Sequence, residues 1–442
     1  MASLLLRGGT VLTMNDGLDI VEGDVSIRDG RIEAVGRVGA SHHDHDSVLD
    51  ASGALVLPGF IQTHIHLCQT LFRGLADDLA LIDWLRTRIW PMEAAHTPAS
   101  LRASARLAAC ELLSSGTTCV LTMETVHDSD AVFEEVAATG LRAVIGKCLM
   151  DADAAAPGRL IQPARTAIDE SLALHRRWNG AAGGRIRAAF APRFAVSCSQ
   201  GLLEEVGSLS AEQGVLVHTH ASEQQAEIAI VERQTGMRNI EYFEAIGLAS
   251  ERLCVAHCVW VNEHEQEILA SRRVKVLHCP GSNLKLGSGL APVAELRRRG
   301  ISVSLGADGA ACNNRLDMFE EMRLAAVLQA VRLGPGTLPA RDAVWMATRE
   351  GARALGMEAE LGSVVPGKRA DLIVVGLDRP HLAPGRDPYS TLVYAARGSD
   401  VRHTVVDGQV LVRDFHPVYL DPREAAAGAR AEAAALMARA GI

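Results

Sequence analysis

Residues 55–66 read Leu55-Val56-Leu57-Pro58-Gly59-Phe60-Ile61-Gln62-Thr63-His64-Ile65-His66. An apolar run of strand length, Leu55–Thr63, ends in two histidines spaced i and i+2. Successive side chains of a strand alternate between its faces, so His64 and His66 point the same way. Seven further runs of this style follow, each trailed by a segment of helix length: Thr118–Met123, Arg142–Met150, Arg185–Phe194, Val215–His220, Leu253–His257, Val274–His278 and Val303–Asp308. Continuous apolar strands alternating with helices mark parallel βα units. Eight of them predict an α/β fold of the closed (β/α)₈ kind, a TIM-like barrel. A doubly wound open sheet competes, but it ordinarily has fewer strands and a glycine fingerprint that this sequence lacks.

Both ends of the chain read differently. Leu4-Leu5-Leu6, Asp24-Val25-Ser26-Ile27 and Arg31–Val35 are short β runs, with Asp29-Gly30 as a hairpin signal. Asp371–Val375, Val401–Val406 and Gln409–Val412, with Asp407-Gly408 between the last two, repeat the style. Neither end has enough apolar surface to fold alone. Residues 1–57 and 363–442 are therefore expected to form one discontinuous β-sandwich domain built from both chain ends, flanking a catalytic barrel over 58–362. The Ala-rich stretch from Pro422 reads as a helix.

The 442 residues, 48% of them hydrophobic, suffice for a large barrel and a second module. A net charge of −9 with no basic stripe argues against a nucleic-acid partner or an anionic membrane surface. The segment from Met1 to Gly9 lacks the apolar core of a signal peptide and reads as a first strand. No apolar run reaches the ~18 residues that suggest a membrane span. Nine cysteines, an odd number without a CxxC pair, lie mostly in apolar runs. That fits reduced, buried thiols in a cytoplasmic protein. A homo-oligomer, dimer or tetramer, is expected.

Four strands end in polar residues, at the C-terminal face where such barrels carry their chemistry. These ends are Thr63-His64-Ile65-His66, His218-Thr219-His220-Ala221-Ser222-Glu223, Ala256-His257-Cys258 and Gly306-Ala307-Asp308-Gly309. Two histidines alone are a weak motif and read as well as hydrogen-bonded core residues. With His220 and Asp308 at equivalent heights they become three neutral imidazoles and a carboxylate, a mononuclear site with room for a water. One Zn²⁺ per chain is expected, with Fe²⁺ as the alternative. Glu223, three residues past His220, is placed to act as general base on a metal-bound water and to return the proton. The blander reading is a solvated acid opening the next helix. His257 is read as orienting the water together with Asp308, not as a ligand; taken singly it is equally a satisfied core histidine. His218 shares a face with His220, but a second ligand there would crowd the metal, so it is assigned to support or packing. A two-metal site needs a bridging residue, typically a modified Lys, at the end of strand four. That strand ends Ala191-Pro192-Arg193-Phe194, and Lys147 lies on strand three.

With these residues in hand, the chain resembles the amidohydrolase superfamily. The similarity is to the branch of guanine deaminases, S-adenosylhomocysteine and 5′-deoxyadenosine deaminases, and triazine hydrolases. It runs through Pro58-Gly59-Phe60-Ile61, Thr219-His220-Ala221-Ser222-Glu223, Ala256-His257, His278-Cys279-Pro280-Gly281-Ser282-Asn283, Asp308-Gly309 and Pro366-Gly367-Lys368-Arg369-Ala370-Asp371-Leu372. The resemblance implies metal ligation by His64, His66, His220 and Asp308, and proton transfer by Glu223.

Substrate signals are mixed. His66-Leu67-Cys68-Gln69, Gly146-Lys147-Cys148-Leu149-Met150-Asp151 and Pro192-Arg193-Phe194-Ala195-Val196-Ser197-Cys198-Ser199 look like guanine deaminases. There the resemblance implies that Gln69 and Arg193 hydrogen-bond the base and Phe194 packs on its ring. Gln can donate and accept along an amide edge, and Arg offers planar donors to a carbonyl. By contrast, Thr70–Asp78, Trp84-Leu85 through Ile89-Trp90-Pro91-Met92-Glu93, and Gly306-Ala307-Asp308-Gly309 through Asn313–Phe319 look like deaminases of 5′-deoxyadenosine and S-adenosylhomocysteine. In those the residue at the Glu93 position holds ribose hydroxyls, but a His follows the strand-four Pro where this chain has Arg193. Residues 67–98 are read as a lid carrying Trp84, Trp90 and Glu93 over a small heterocyclic substrate. The leading expectation is hydrolytic deamination of a guanine-like 2-amino-4-oxo-pyrimidine ring: guanine, 8-oxoguanine or isocytosine. The alternative is an adenine nucleoside such as 5′-deoxyadenosine, methylthioadenosine or S-adenosylhomocysteine. Chloride or amine displacement from a triazine is a third reading. A non-catalytic barrel would have no physical need of the ligand set and Glu223.

Overall fold

The computed structural model describes residues 3–37, 45–153 and 155–442. Met1 and Ala2, at the head of the expected first strand, and 38–44, within the expected N-terminal β segment, lie outside the described residues. Strands β1 (Ser3–Leu12), β2 (Ile20–Arg28), β3 (Arg31–Gly36), β4 (Ser47–Asp50) and β5 (Ala54–Pro58) precede the barrel. The barrel strands are β6 (Phe60–Ile65), β7 (Thr117–Met123), β8 (Arg142–Leu149), β9 (Ile186–Pro192), β10 (Val217–Ala221), β11 (Leu253–His257), β12 (Lys275–His278) and β13 (Val303–Leu305). After them come β14 (Leu372–Gly376), β15 (Val401–Val406), β16 (Gln409–Arg413) and β17 (His416–Pro417).

Strands β6 to β13 pair in sequence order, every neighbour parallel. Every residue of β6, β7 and β8 is buried, which is why these strands read as unbroken apolar runs rather than alternating ones. The two ends of this sheet meet where Thr63 Oγ1 donates to the Leu305 carbonyl (3.0 Å) and the Asp308 amide donates to the His64 carbonyl (3.0 Å). Gly306 allows that approach: a Cβ there would lie 2.5 Å from the His64 carbonyl oxygen. The barrel is thus nearly closed.

The run Leu55–Thr63, read from sequence as one barrel strand, is two. Ala54–Pro58 pairs with β1 and with β14 in the other sheet, and only Phe60 onward enters the barrel. Both halves are buried, so hydrophobicity does not mark the break. The Pro58-Gly59 step does: a Cβ on Gly59 would fall 2.2 Å from the Thr118 side chain.

The chain ends share one mixed sheet, ordered β17-β16-β15-β14-β5-β1-β2-β3 with β4 on β1. It folds back so that its two hairpin tips touch. Gly408 donates to the Ala370 carbonyl (3.0 Å) and Ala370 to that of Gly30 (2.9 Å). Leu6, Val25, Ile27, Val56, Leu372, Val374 and Val405 fill the core this encloses. The helix Pro422–Ala440, capped by Asp421, packs on the helix Pro98–Ser114.

Sheet and barrel are joined by a buried ion pair. Arg142 on β8 forks onto Asp371 before β14, Nε to Oδ2 at 2.7 Å and Nη2 to Oδ1 at 2.9 Å. Deleting one partner strands the other charge out of water. Arg142→Met is expected to destabilise by about 3–5 kcal/mol, read as an earlier urea midpoint. A midpoint within error of the parent would show that the pair contributes nothing.

Candidate active site

Three of the four polar strand ends bring their histidines to one point. The second ring nitrogen of each is already engaged. His66 Nδ1 lies 2.8 Å from the Met123 carbonyl and His220 Nδ1 lies 2.6 Å from that of Arg193. A carbonyl only accepts, so both protons sit on Nδ1 and both Nε2 atoms carry lone pairs. Those two Nε2 atoms are 3.3 Å apart. Two facing lone pairs in a buried site repel each other; a cation between them removes the conflict. His64 Nδ1 contacts His218 Nε2 at 2.7 Å, while His64 Nε2 is buried without a hydrogen-bond partner among the described residues. Asp308 Oδ1 closes the set, 3.2 Å from His64 Nε2 and 3.4 Å from His66 Nε2.

Burial holds all three imidazoles neutral: it lowers His64 to about 4, lowers His66, and takes His220 well below the ordinary range. Asp308 stays ionised, its carboxyl well below the usual range. Burial opposes this, and the imidazoles of His64, His66 and His257 outweigh burial. Neutral nitrogens facing one carboxylate are the donor set of a divalent cation. The orienting contacts from Met123, Arg193 and His218 are of the kind that fix such ligands. His218 is therefore support for His64, as its crowded position predicts.

Beside this centre stand His257 and Glu223. His257 Nε2 is 3.6 Å from Glu223 Oε2 and 3.9 Å from Asp308 Oδ2. Its nitrogen also lies within 4.8 Å of those of His64 and His220, but it faces the two carboxylates. Burial lowers the affinity of His257 for a proton, yet Glu223 and Asp308 outweigh it and raise the pKa. Glu223 is raised, chiefly by burial and then by the charge of Asp308. His257 and Asp308 both sit at positive φ, 74° and 62°, a conformation rare for residues with a side chain and frequent at functional sites.

The pocket over this centre holds about 450 Å³ including its mouth. Gln69, Trp84, Arg193 and Phe194 line it, as expected, together with Leu81, Leu85, Glu227 and Leu286, which the sequence does not single out. Trp84 ends a short helix, Leu81–Trp84, that runs into one π-helical turn, Leu85–Ile89. Trp90, expected over the substrate, is instead buried in the core beneath that turn and does not line the pocket. Lys147 points elsewhere, its Nζ 2.8 Å from Gln162.

Arg193 and Glu93, which the sequence assigns to rival substrates, are partners. Arg193 Nη1 meets Glu93 Oε2 at 2.6 Å, Nη2 meets Oε1 at 3.3 Å, and Gln69 Nε2 donates to Oε1 at 3.0 Å. Glu93 stands behind Gln69 and Arg193 rather than in the wall itself. The fork of Arg193 is thus occupied. Its reading as a free donor to a ring carbonyl misses a partner a hundred residues away.

The sequence profile of the amidohydrolase family matches residues 55–411. The chain belongs to the amidohydrolase family. It is 42% identical to a 5′-deoxyadenosine deaminase of Methanothermobacter thermautotrophicus, over 98% of this chain and 99% of the other. It is 41% identical to a 5-methylthioadenosine/S-adenosylhomocysteine deaminase of Symbiobacterium thermophilum, over 99% and 100%. Among solved structures, a zinc-bound adenosine deaminase from Xanthomonas campestris superposes with a TM-score of 0.92 at 32% identity, over 99% of each chain. The guanine deaminase of E. coli is more distant: TM-score 0.82, 26% identity, 93% of this chain and 99% of that one. Among the described residues no helix is long and apolar enough to cross a membrane, and all nine cysteines are buried and unbridged.

Proposed function

We propose that this amidohydrolase is a zinc-dependent hydrolytic deaminase of adenine nucleosides modified at the 5′ position, such as 5′-deoxyadenosine or 5′-methylthioadenosine. The expectation of a guanine-like ring yields to the alternative. The observation that carries the change is the Arg193–Glu93 pair, which joins the arginine read as a base contact and the carboxylate read as a ribose contact in one network. Relatives at 40–42% identity over nearly whole chains point the same way.

In this reading, a divalent metal held by His64, His66, His220 and Asp308 supplies, when bound, Lewis-acid activation of a water. The rest falls to the protein. His257 and Asp308 orient the water toward C6. Glu223 takes its proton and delivers it to the adjacent ring nitrogen as the C–O bond forms. A second proton then passes from the oxygen to the amine, the C–N bond breaks, and ammonia leaves behind a ring carbonyl. Phe194 and Trp84 pack the base. Gln69 and Arg193, oriented by Glu93 behind them, meet the ribose hydroxyls, with the buried Gln69 Oε1, unpartnered among the described residues, as a further acceptor.

The test is ammonia release from 5′-deoxyadenosine, 5′-methylthioadenosine, S-adenosylhomocysteine, guanine, 8-oxoguanine and isocytosine. Turnover of the adenine nucleosides is expected; turnover confined to guanine-like bases would reverse the assignment. Variants add a second check. Because Arg193 acts on Glu93, Arg193→Met and Glu93→Gln should damage the same substrates. Each is expected to cut kcat/KM for nucleosides roughly 10- to 150-fold, the scale of a hydrogen bond to a charged group. If Arg193→Met hurts guanine-like bases alone, the carbonyl-binding reading of Arg193 returns.

A further inference from the structure

One segment contacts all three groups, Asp308, His257 and Glu223, that the proposed mechanism sets around the attacking water. It follows β12 and comprises the helix Pro280–Lys285 and the turn 286–288. Ser282 Oγ donates to Asp308 Oδ2 at 2.7 Å. Asn283 Oδ1 accepts from His257 Nδ1 at 2.8 Å. Ser288 Oγ donates to Glu223 Oε1 at 3.1 Å. All three side chains are at least 98% buried.

The Ser288 proton has only one place to go. Gln224 Nε2 donates to Ser288 Oγ at 3.2 Å, filling a lone pair, so the hydroxyl hydrogen turns to the Glu223 carboxylate. With Oε1 so held, Oε2 is the oxygen left facing His257. The turn is fixed from three sides. Ser288 N donates to the Asn283 carbonyl (2.8 Å), Gln224 Nε2 to that of Leu286 (3.0 Å), and the Trp260 indole N–H to that of Ser288 (2.7 Å). Gly287 sits at φ 64° and Gly289 at φ 124°, where a side chain would strain the backbone. A Cβ on Gly289 would also press on the Trp260 ring at 3.0 Å.

We infer that Ser282, Asn283 and Ser288 are positioning residues, and that Ser288 sets which carboxylate oxygen of Glu223 exchanges the proton. This rests on the hydrolytic reading of the site and extends it to a segment whose Pro-Gly-Ser-Asn motif has no role there. A carboxylate free to rotate spends less time aligned for transfer, while substrate binding is unaffected.

The test uses the metal-loaded full chain. Ser288→Ala is expected to lower kcat roughly 10- to 100-fold with KM within about twofold, the cost of losing one hydrogen bond to an ionised group. Ser288→Thr, which keeps the hydroxyl, should recover most of the loss, with metal content and Tm unchanged throughout. In a Glu223→Gln background Ser288→Ala should add little, because both changes strike one function. If Ser288→Ala leaves kcat intact, or costs as much without the Glu223 carboxylate as with it, the inference falls. If instead Glu223→Gln is itself fully active, it is the role given to Glu223 in the proposed function that fails.

Discussion

Purified protein is expected to carry close to one divalent metal ion per chain, and a chelator is expected to take its deaminase activity to background. The expectation rests on His66 Nε2 and His220 Nε2 lying 3.3 Å apart with both Nδ1 protons committed to carbonyls. No protonation state of that pair is comfortable in a buried site without a cation. The scale of the loss follows from the chemistry a metal supplies. Coordination brings the pKa of water from 15.7 to about 7, so without it hydroxide near neutrality is scarcer by roughly eight to nine powers of ten. Elemental analysis before and after dialysis, with activity restored by added Zn²⁺, measures both parts of the claim. Near two metals per chain would overturn the mononuclear site. That site is supported by the end of the fourth barrel strand, Ala191-Pro192-Arg193-Phe194, which offers no lysine, and by Lys147 turning to Gln162.

The centre was legible because its residues sit at the ends of strands. A two-residue repeat fixes the common face of His64 and His66. A break in an apolar run marks His220 and Asp308 as residues that the core alone does not call for. Such signals are local. The misread features are those set by contacts across the fold. Pro58-Gly59 divides two equally buried runs between two sheets, and only the strands that pair with each half tell them apart. Trp90 and Trp84 lie on one short helical stretch, and the turn between them decides which enters the pocket. Glu93 and Arg193 each resemble a different substrate's contact, and their pairing becomes visible only when the lid is folded onto strand β9. Ser288 carries no sequence signal of its own; its partner Glu223 is 65 residues earlier. Ser282 and Asn283 were visible as part of a family motif, but their pairing with Asp308 and His257 was not.

Glu223→Gln is expected to keep the metal and the substrate while losing most of the rate. Glu223 is not among the convergent ligands, so metal content should match the parent. Glutamine has nearly the same shape, and its carbonyl can still accept from Ser288, so the pocket wall should keep its form. What is lost is a group that can take a proton from water and give it up again. Burial already raises the pKa of Glu223, which suits a residue that must be base in one step and acid in the next. Removing a general acid–base group typically costs ~10² to 10⁴-fold, and more when one residue serves both proton transfers. Steady-state kinetics with 5′-deoxyadenosine, alongside equilibrium binding of the same nucleoside, separates the two effects. A fall in kcat with binding preserved is the expected result. A variant within a few-fold of the parent would remove Glu223 from the reaction and leave His257, raised in pKa between Glu223 and Asp308, as the group that moves the proton.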